Sequence, residues 1–312
     1  IITPKSKQPL YVNLCRESEL TQLADEFQKA SLVASRKNNP EYAGELMMEY
    51  NNKLNTMIWS KILPHVKSLN TIVFSPYGVL NQLNIEVACS KKCIRVSSTA
   101  DILDNNEIRD FNGSVLYGGL RYKLADATST METMSRNYFF SDTLSVSRSG
   151  WGYLSGTKDE VNNINALLKE KLIDNIVYSE ADGTELSFKK LSGKNIPIIH
   201  IATHGFYFNN ELASQEPYFS NSKGDNDSDV ISPMSRSGLI MSGGEDTWKG
   251  RVNFNRGVDN ILLAEEIAGL YLPNTELLVM SACQTALGEI RGDGVYGLQR
   301  AFKLAGAKTM IM

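Results

Sequence analysis

The sequence predicts an α/β fold with a mostly parallel sheet flanked by helices and a helical N-terminal lead-in. Three observations carry that prediction. From residue 157 onward, helix-like segments alternate with short apolar runs, the order that builds a parallel sheet. Two of those runs, "IIHIA" and "ELLVMSA", are nearly continuous in apolar residues, as strands covered on both faces must be. Residues 17 to 69, in contrast, place apolar residues at three- and four-residue spacing.

In chain order, "ESELTQLADEFQKASLVASRK" and "AGELMMEYNNKLNTMIWSKILPHVKSL" read as helices, with Pro64 marking a kink or break because its ring denies the helix a donor. "TIVFSPYGVLNQLNIEVA" reads as a β-rich run, a turn at Pro76-Tyr77-Gly78, and a second apolar segment. Between 100 and 156 glycines punctuate a mixed signal, and "SDTLSVSRSGWGYLSG" reads as loop or hairpin. Thr157 and Glu160 have the spacing of a capping box opening the helix "KDEVNNINALLKEKL". "NIVYSE" is a strand, a helical segment runs through Lys189 and Lys190, and residues 196–203 form the next strand. Residues 209–236, polar and rich in Ser, Asn and Asp, read as a long and partly disordered surface loop. "SGLIMSGG" follows as strand, "NILLAEEIAGL" as amphipathic helix, "TELLVMSA" as strand, "GVYGLQRAFKLAG" as helix and "KTMIM" as a last strand. The expected divisions are 1–69, 70–156 and 157–312. The apolar, uncapped ending at Met312 is expected to continue in the natural protein.

Composition narrows the function. With 312 residues, 42% hydrophobic and 21% charged, the chain can bury a sizeable core. A net charge of -3 and isolated Lys91-Lys92 and Lys189-Lys190 pairs supply no basic stripe for nucleic acid. No apolar run approaches the roughly 18 residues of a membrane span, and no signal peptide opens the sequence. Four cysteines fit a reducing, cytoplasmic compartment rather than a disulfide scaffold. Cys89 and Cys93 lack a second pair to complete a zinc site, so neither metal nor other cofactor is expected. The glycosylation-type triplets at Asn112 and Asn226 have no secretory context.

Two strand ends carry the candidate chemistry. In "IIHIATHGFYF", a continuous strand would put His200 and His204 on one face but about 13 Å apart, four rises of the chain. Zinc ligands must lie at about 2.0–2.1 Å, so the pair cannot share one ion. His200, inside the apolar run, reads as a core histidine. His204, at the C-terminal end and followed by Gly205, lies where open α/β sheets collect ligands. The run "ELLVMSACQTALG" ends similarly, at Cys283, where the start of a helix or turn would favour thiolate. Together they make a candidate Cys/His dyad, the imidazole serving first as base and then as acid. Gly292 to Gly297 match G-x-G-x-x-G, but no strand directly precedes them and no acid follows at the distance a dinucleotide needs. These glycines read as a tight turn entering the last helix.

"HIATHGFY" together with "VMSACQTALGEIRGDGVYGLQRAFKLAGAKTMIM" resembles the CHAT domain, a caspase-like module often found after TPR repeats. "TIVFSPYGVLNQLNIEVA", "SGTKDEVNNI", "RSGLIMSGG" and "DNILLAEEIAGLYL" resemble further family segments, so the likeness runs from about 60 to 312. The resemblance implies a caspase-like sheet, with residues 70–156 as a degenerate half. It also implies a dyad of His204 and Cys283, and an oxyanion hole of backbone N–H groups at Gly205 and Cys283. Such donors are worth about 2.7–4 kcal/mol each where measured. The context S-A-C-Q-T departs from the Q-A-C-[RQG]-G of animal caspases, so cleavage after aspartate is not implied. Family domains continue into further elements, including an acid that in separase helps bind a substrate arginine. The expected function is a cytoplasmic cysteine endopeptidase acting on a protein substrate. An attached sensor, a partner or upstream TPR-like repeats would control it. The alternative is a catalytically silent interaction module. Arg236 and Lys223, in the long polar segment, are candidate self-cleavage points.

Overall fold

The computed structural model describes residues 1–37, 40–98, 111–123, 150–214, 216, 218–219, 231–250, 258–282, 288–291 and 294–312. The chain forms two compact units, one of residues 1–106 and 290–294, the other of residues 107–289 and 295–312.

The first unit begins with helices α1 (Glu17–Lys37) and α2 (Pro40–Leu54). Glu17 and Glu19 lie in the first turn of α1, where carboxylates suit the positive helix end. Its path then tightens and loosens through a π-helical turn (Asn55–Trp59), a single α-turn α3 (Ser60–Ile62) and a 3-10 turn (Leu63–His65) that holds Pro64. Leu20 and Leu23 of α1 and Tyr50 and Leu54 of α2 pack with Ile58, Trp59, Val79, Leu83 and Ile85 in one core. Buried there, the Trp59 indole donates to Ile85 O at 2.7 Å. Strands β1 (Thr71–Phe74) and β2 (Lys92–Arg95) pair in parallel. The expected second apolar segment is a pair of 3-10 turns, Gly78–Gln82 and Ile85–Ala88.

The second unit is built on a five-stranded sheet of order β12-β9-β5-β3-β4, with β3 (Gly113–Leu120), β4 (Asp174–Glu180), β5 (Ile198–Ala202), β9 (Leu277–Ser281) and β12 (Thr309–Ile311). Every pairing in it is parallel. Alternate residues serve opposite faces. Val115, Tyr117, Ile199, Ile201, Leu278 and Met280 belong to the main core, while Leu116 and Ala202 meet Val161 of helix α4 (Ser155–Glu170). Burial of both faces is why these strands read as apolar runs rather than as alternation. A second, antiparallel sheet joins β6 (His204–Tyr207), β7 (Ser237–Ile240) and β8 (Ile261–Leu263). Helices α5 (Glu185–Lys189), α6 (Asn210–Ala213), α7 (Gly244–Trp248), α8 (Ala264–Ala268) and α9 (Leu298–Ala305) also belong to the unit. Strands β10 (Glu289–Arg291) and β11 (Gly294–Tyr296) pair with each other. Among the described residues, no helix is long and apolar enough to cross a membrane.

Several local expectations change. Helix α4 starts at Ser155, so Thr157 is already inside it. Its hydroxyl donates to Leu154 O at 2.7 Å and accepts from Gly119 N at 2.9 Å, fastening the helix to β3, while Glu160 turns to the sheet rather than to a cap. The expected helix "NILLAEEIAGL" divides into β8 and α8, because Ile261 and Leu262 are claimed by the antiparallel sheet. Gly294, expected in a turn, opens β11, and Gly297 precedes α9. Strand β3 was hidden by Gly118 and Gly119, which read as breakers. Gly118 is required there: a Cβ would lie 2.4 Å from Val161 Cγ2 and 2.6 Å from Thr157 O. The hairpin reading at 141–149 and the acidic, serine-rich stretch 220–230 lie outside the described residues. Within the long polar segment, Asn209 caps α6 by accepting from Leu212 N at 2.8 Å.

Candidate active site

Strand β5 ends at Ala202. Thr203 then leaves the parallel ladder, and the chain re-enters β-structure at His204 in the other sheet. Thr203 is fixed by donating its hydroxyl proton to Ile240 O at 2.6 Å. With that proton committed, the Tyr122 hydroxyl, 3.0 Å away, is the donor to Thr203 Oγ1. The bend carries His204 away from the face that a continuous strand would have given it. Its ring lies against Tyr122 and Trp151, with centroids 4.8 and 5.2 Å away, whereas His200 faces Glu160 of α4.

His204 is 6% exposed, and its Nε2 lies 2.7 Å from Gly152 O. A carbonyl only accepts, so Nε2 carries the proton and the ring's lone pair sits on Nδ1. Burial lowers the imidazole pKa to about 4, the Gly152 carbonyl acting weakly the other way. At neutral pH the ring is therefore an uncharged base with a fixed tautomer. Gly205, buried, is the second residue of β6, opposite Leu239 of β7.

Strands β5 and β9 are neighbours in register, Ala202 beside Ser281. His204 and Cys283 each follow those paired residues by two positions in sequence. Cys283 itself, with residues 284–287, lies outside the described residues.

His200 is a core histidine, as its place in the apolar run implies. Burial lowers its pKa and the Glu160 carboxylate opposes that shift. Its Nε2 is 3.1 Å from Glu160 Oε1, an ion-pair distance without hydrogen-bond alignment. Glu160 Oε2 accepts from Ser281 Oγ at 3.0 Å. Reading the sequence missed Glu160, Tyr122, Trp151 and Gly152 as neighbours of the candidate histidines. The one available signal was the tryptophan placed between Gly150 and Gly152.

Arg236 is not an accessible cut point in this structure. It is 2% exposed and donates to Ile231 O at 2.8 Å, Phe208 O at 2.7 Å and Glu289 Oε2 at 2.6 Å. Three fixed acceptors hold the guanidinium in the fold. Lys223 lies outside the described residues. Among the described residues, no group of three or more His, Cys, Asp or Glu side chains could hold a metal ion.

A five-stranded parallel sheet flanked by helices, with His204 two residues past the end of its central strand β5, is the architecture of a caspase-like α/β protein. The chain belongs to the CHAT domain family, a caspase-like, peptidase-related family whose sequence model matches residues 48–312. No curated protein matches the chain at a significant level.

Proposed function

We propose that this protein is a cytoplasmic cysteine endopeptidase that hydrolyses peptide bonds of a protein substrate through His204 and Cys283. The observation that carries the reading is the register of β5 and β9: with Ala202 beside Ser281, the segments bearing the two residues leave the same sheet edge from neighbouring strands. The proton on His204 Nε2 supports it, because Nδ1 is then the basic atom. In the proposed cycle the Cys283 thiol gives its proton to Nδ1 and the thiolate attacks the scissile carbonyl carbon. Backbone N–H groups of Gly205 and Cys283 stabilise the oxyanion. As the C–N bond breaks, the imidazolium returns the proton to the leaving amine. Water, deprotonated by His204, then hydrolyses the thioester and frees the thiol. Four cysteines, three of them (Cys15, Cys89, Cys93) free thiols in the fold, support a reducing compartment. Control by an attached sensor, TPR-like repeats or a partner is part of the proposal.

The test compares wild type, Cys283→Ala and His204→Ala, with mass spectrometry of peptides released from a denatured proteome by the activated full-length protein. Both variants are expected to lose cleavage by at least about three orders of magnitude. Cys283→Ala should melt close to wild type, whereas His204→Ala also empties a buried site beside Tyr122 and Trp151 and should melt lower while still folding. Undiminished cleavage in Cys283→Ala would end the peptidase reading. An activated wild type that cuts nothing would leave the interaction module.

A further inference from the structure

Both carboxylate oxygens of Glu160 are engaged with the sheet. Oε1 lies 3.1 Å from His200 Nε2 on β5, and Oε2 accepts from Ser281 Oγ at 3.0 Å on β9. These strands are adjacent and parallel, and Ser281 is the last residue of its strand. Glu160 is presented from a helix that is itself fixed. Val161 packs between Leu116 and Ala202, and the Thr157 hydroxyl accepts from Gly119 N. A serine exposed at a strand end and a carboxylate one-third exposed could each be satisfied by water. They bond to each other instead, and the carboxylate's second oxygen meets a buried imidazole.

We propose that Glu160 is a positioning residue for the hydrolysis described above: it fixes the carboxyl end of β9 to β5, so the chain departs toward Cys283 from a set place relative to His204. The inference rests on the dyad reading. Its physical basis is the steep dependence of reaction on geometry, since about 1 Å of misplacement can cost on the order of a hundredfold. Side chains that hold reacting groups need such outer support.

The experiment needs no substrate. The full-length protein is treated with limiting iodoacetamide, and alkylation of the Cys283 peptide is followed by mass spectrometry, which separates it from the other cysteines. Thiolate fraction and access set this rate. Ser281→Ala and Glu160→Ala are each expected to slow it by about tenfold, part of the hundredfold range a misplaced group can lose. Glu160→Gln should stay within about twofold of wild type, because the amide oxygen still accepts from Ser281, the aligned hydrogen bond of this side chain. The Ser281 hydroxyl is exposed, so Ser281→Ala should melt with wild type and its rate reports position rather than folding. A wild-type rate in Ser281→Ala overturns the proposal whatever Glu160→Ala does. His204→Ala is the separate control: alkylation there at the wild-type rate would refute the dyad itself, and the positioning role with it.

Discussion

At the scale of single residues, the burial of His204 carries an expected effect on stability beside its proposed role in catalysis. A histidine free in solution titrates near 6.5, whereas burial holds His204 near 4. Between those values the unfolded chain binds a proton that the folded chain refuses, so stability rises with pH across the window. The contribution is complete above about 6.5 and is lost as pH falls toward 4. A separation of this size corresponds to on the order of 3 kcal/mol. Melting of the wild type is expected to drop steeply from pH 6.5 to 4.5, and His204→Gln should flatten that slope. Parallel curves for the two proteins would show that the imidazole is not held neutral by its surroundings.

At the scale of elements, the contact of α4 with β3 depends on a glycine that looks like a breaker. A Cβ at position 118 would meet both Val161 Cγ2 and the Thr157 carbonyl, and the second of these is backbone that cannot rotate away. Gly118→Ala must push α4 off the sheet and should cost about 2–3 kcal/mol. Gly156, in the same helix, is the control. Nothing lies within 4 Å of its missing Cβ, so Gly156→Ala should be neutral or stabilising by up to about 1 kcal/mol. Urea titrations of both variants decide this. Equal midpoints would mean that the close approach is not what fixes α4.

At the scale of the molecule, the two largest hydrophobic cores among the described residues belong to different parts of the chain. One gathers Leu54, Ile58 and Trp59 with the 3-10 turns, and the other gathers Phe188, Phe206, Trp248 and Phe302 around the parallel sheet. A chain with two such cores is not bound to unfold all-or-none. The calorimetric enthalpy is expected to exceed the van't Hoff enthalpy. Trp59→Ala, which empties a site 1% exposed and removes the bond to Ile85 O, should lower one component by about 3–5 kcal/mol. A single transition with matching enthalpies in wild type and variant would contradict this.

The sequence by itself determined the fold class, the strands read at 196–203 and in "TELLVMSA" that the fold trims to 198–202 and 277–281, the core role of His200 and the place of His204 just past a strand. Each follows from a local rule: apolar runs mark strands covered on both faces, and a polar residue closing such a run sits at the sheet's edge. Tertiary structure alone decided the rest. Thr157 and Glu160 have capping-box spacing, but in the fold Gly119 N and the Ser281 hydroxyl bond to their side chains and His200 faces the Glu160 carboxylate. Residues 261–263 fit a helical pattern equally well until β7 offers them a partner. Arg236 sits in a polar stretch that reads as surface, yet carbonyls at 208 and 231 and the Glu289 carboxylate enclose it. The tautomer of His204 is set by Gly152 O, far away in sequence. Hydrogen-bond partners brought together by folding leave no trace in local periodicity, which is why a sequence can mark where a candidate base lies but not which of its nitrogens holds the proton.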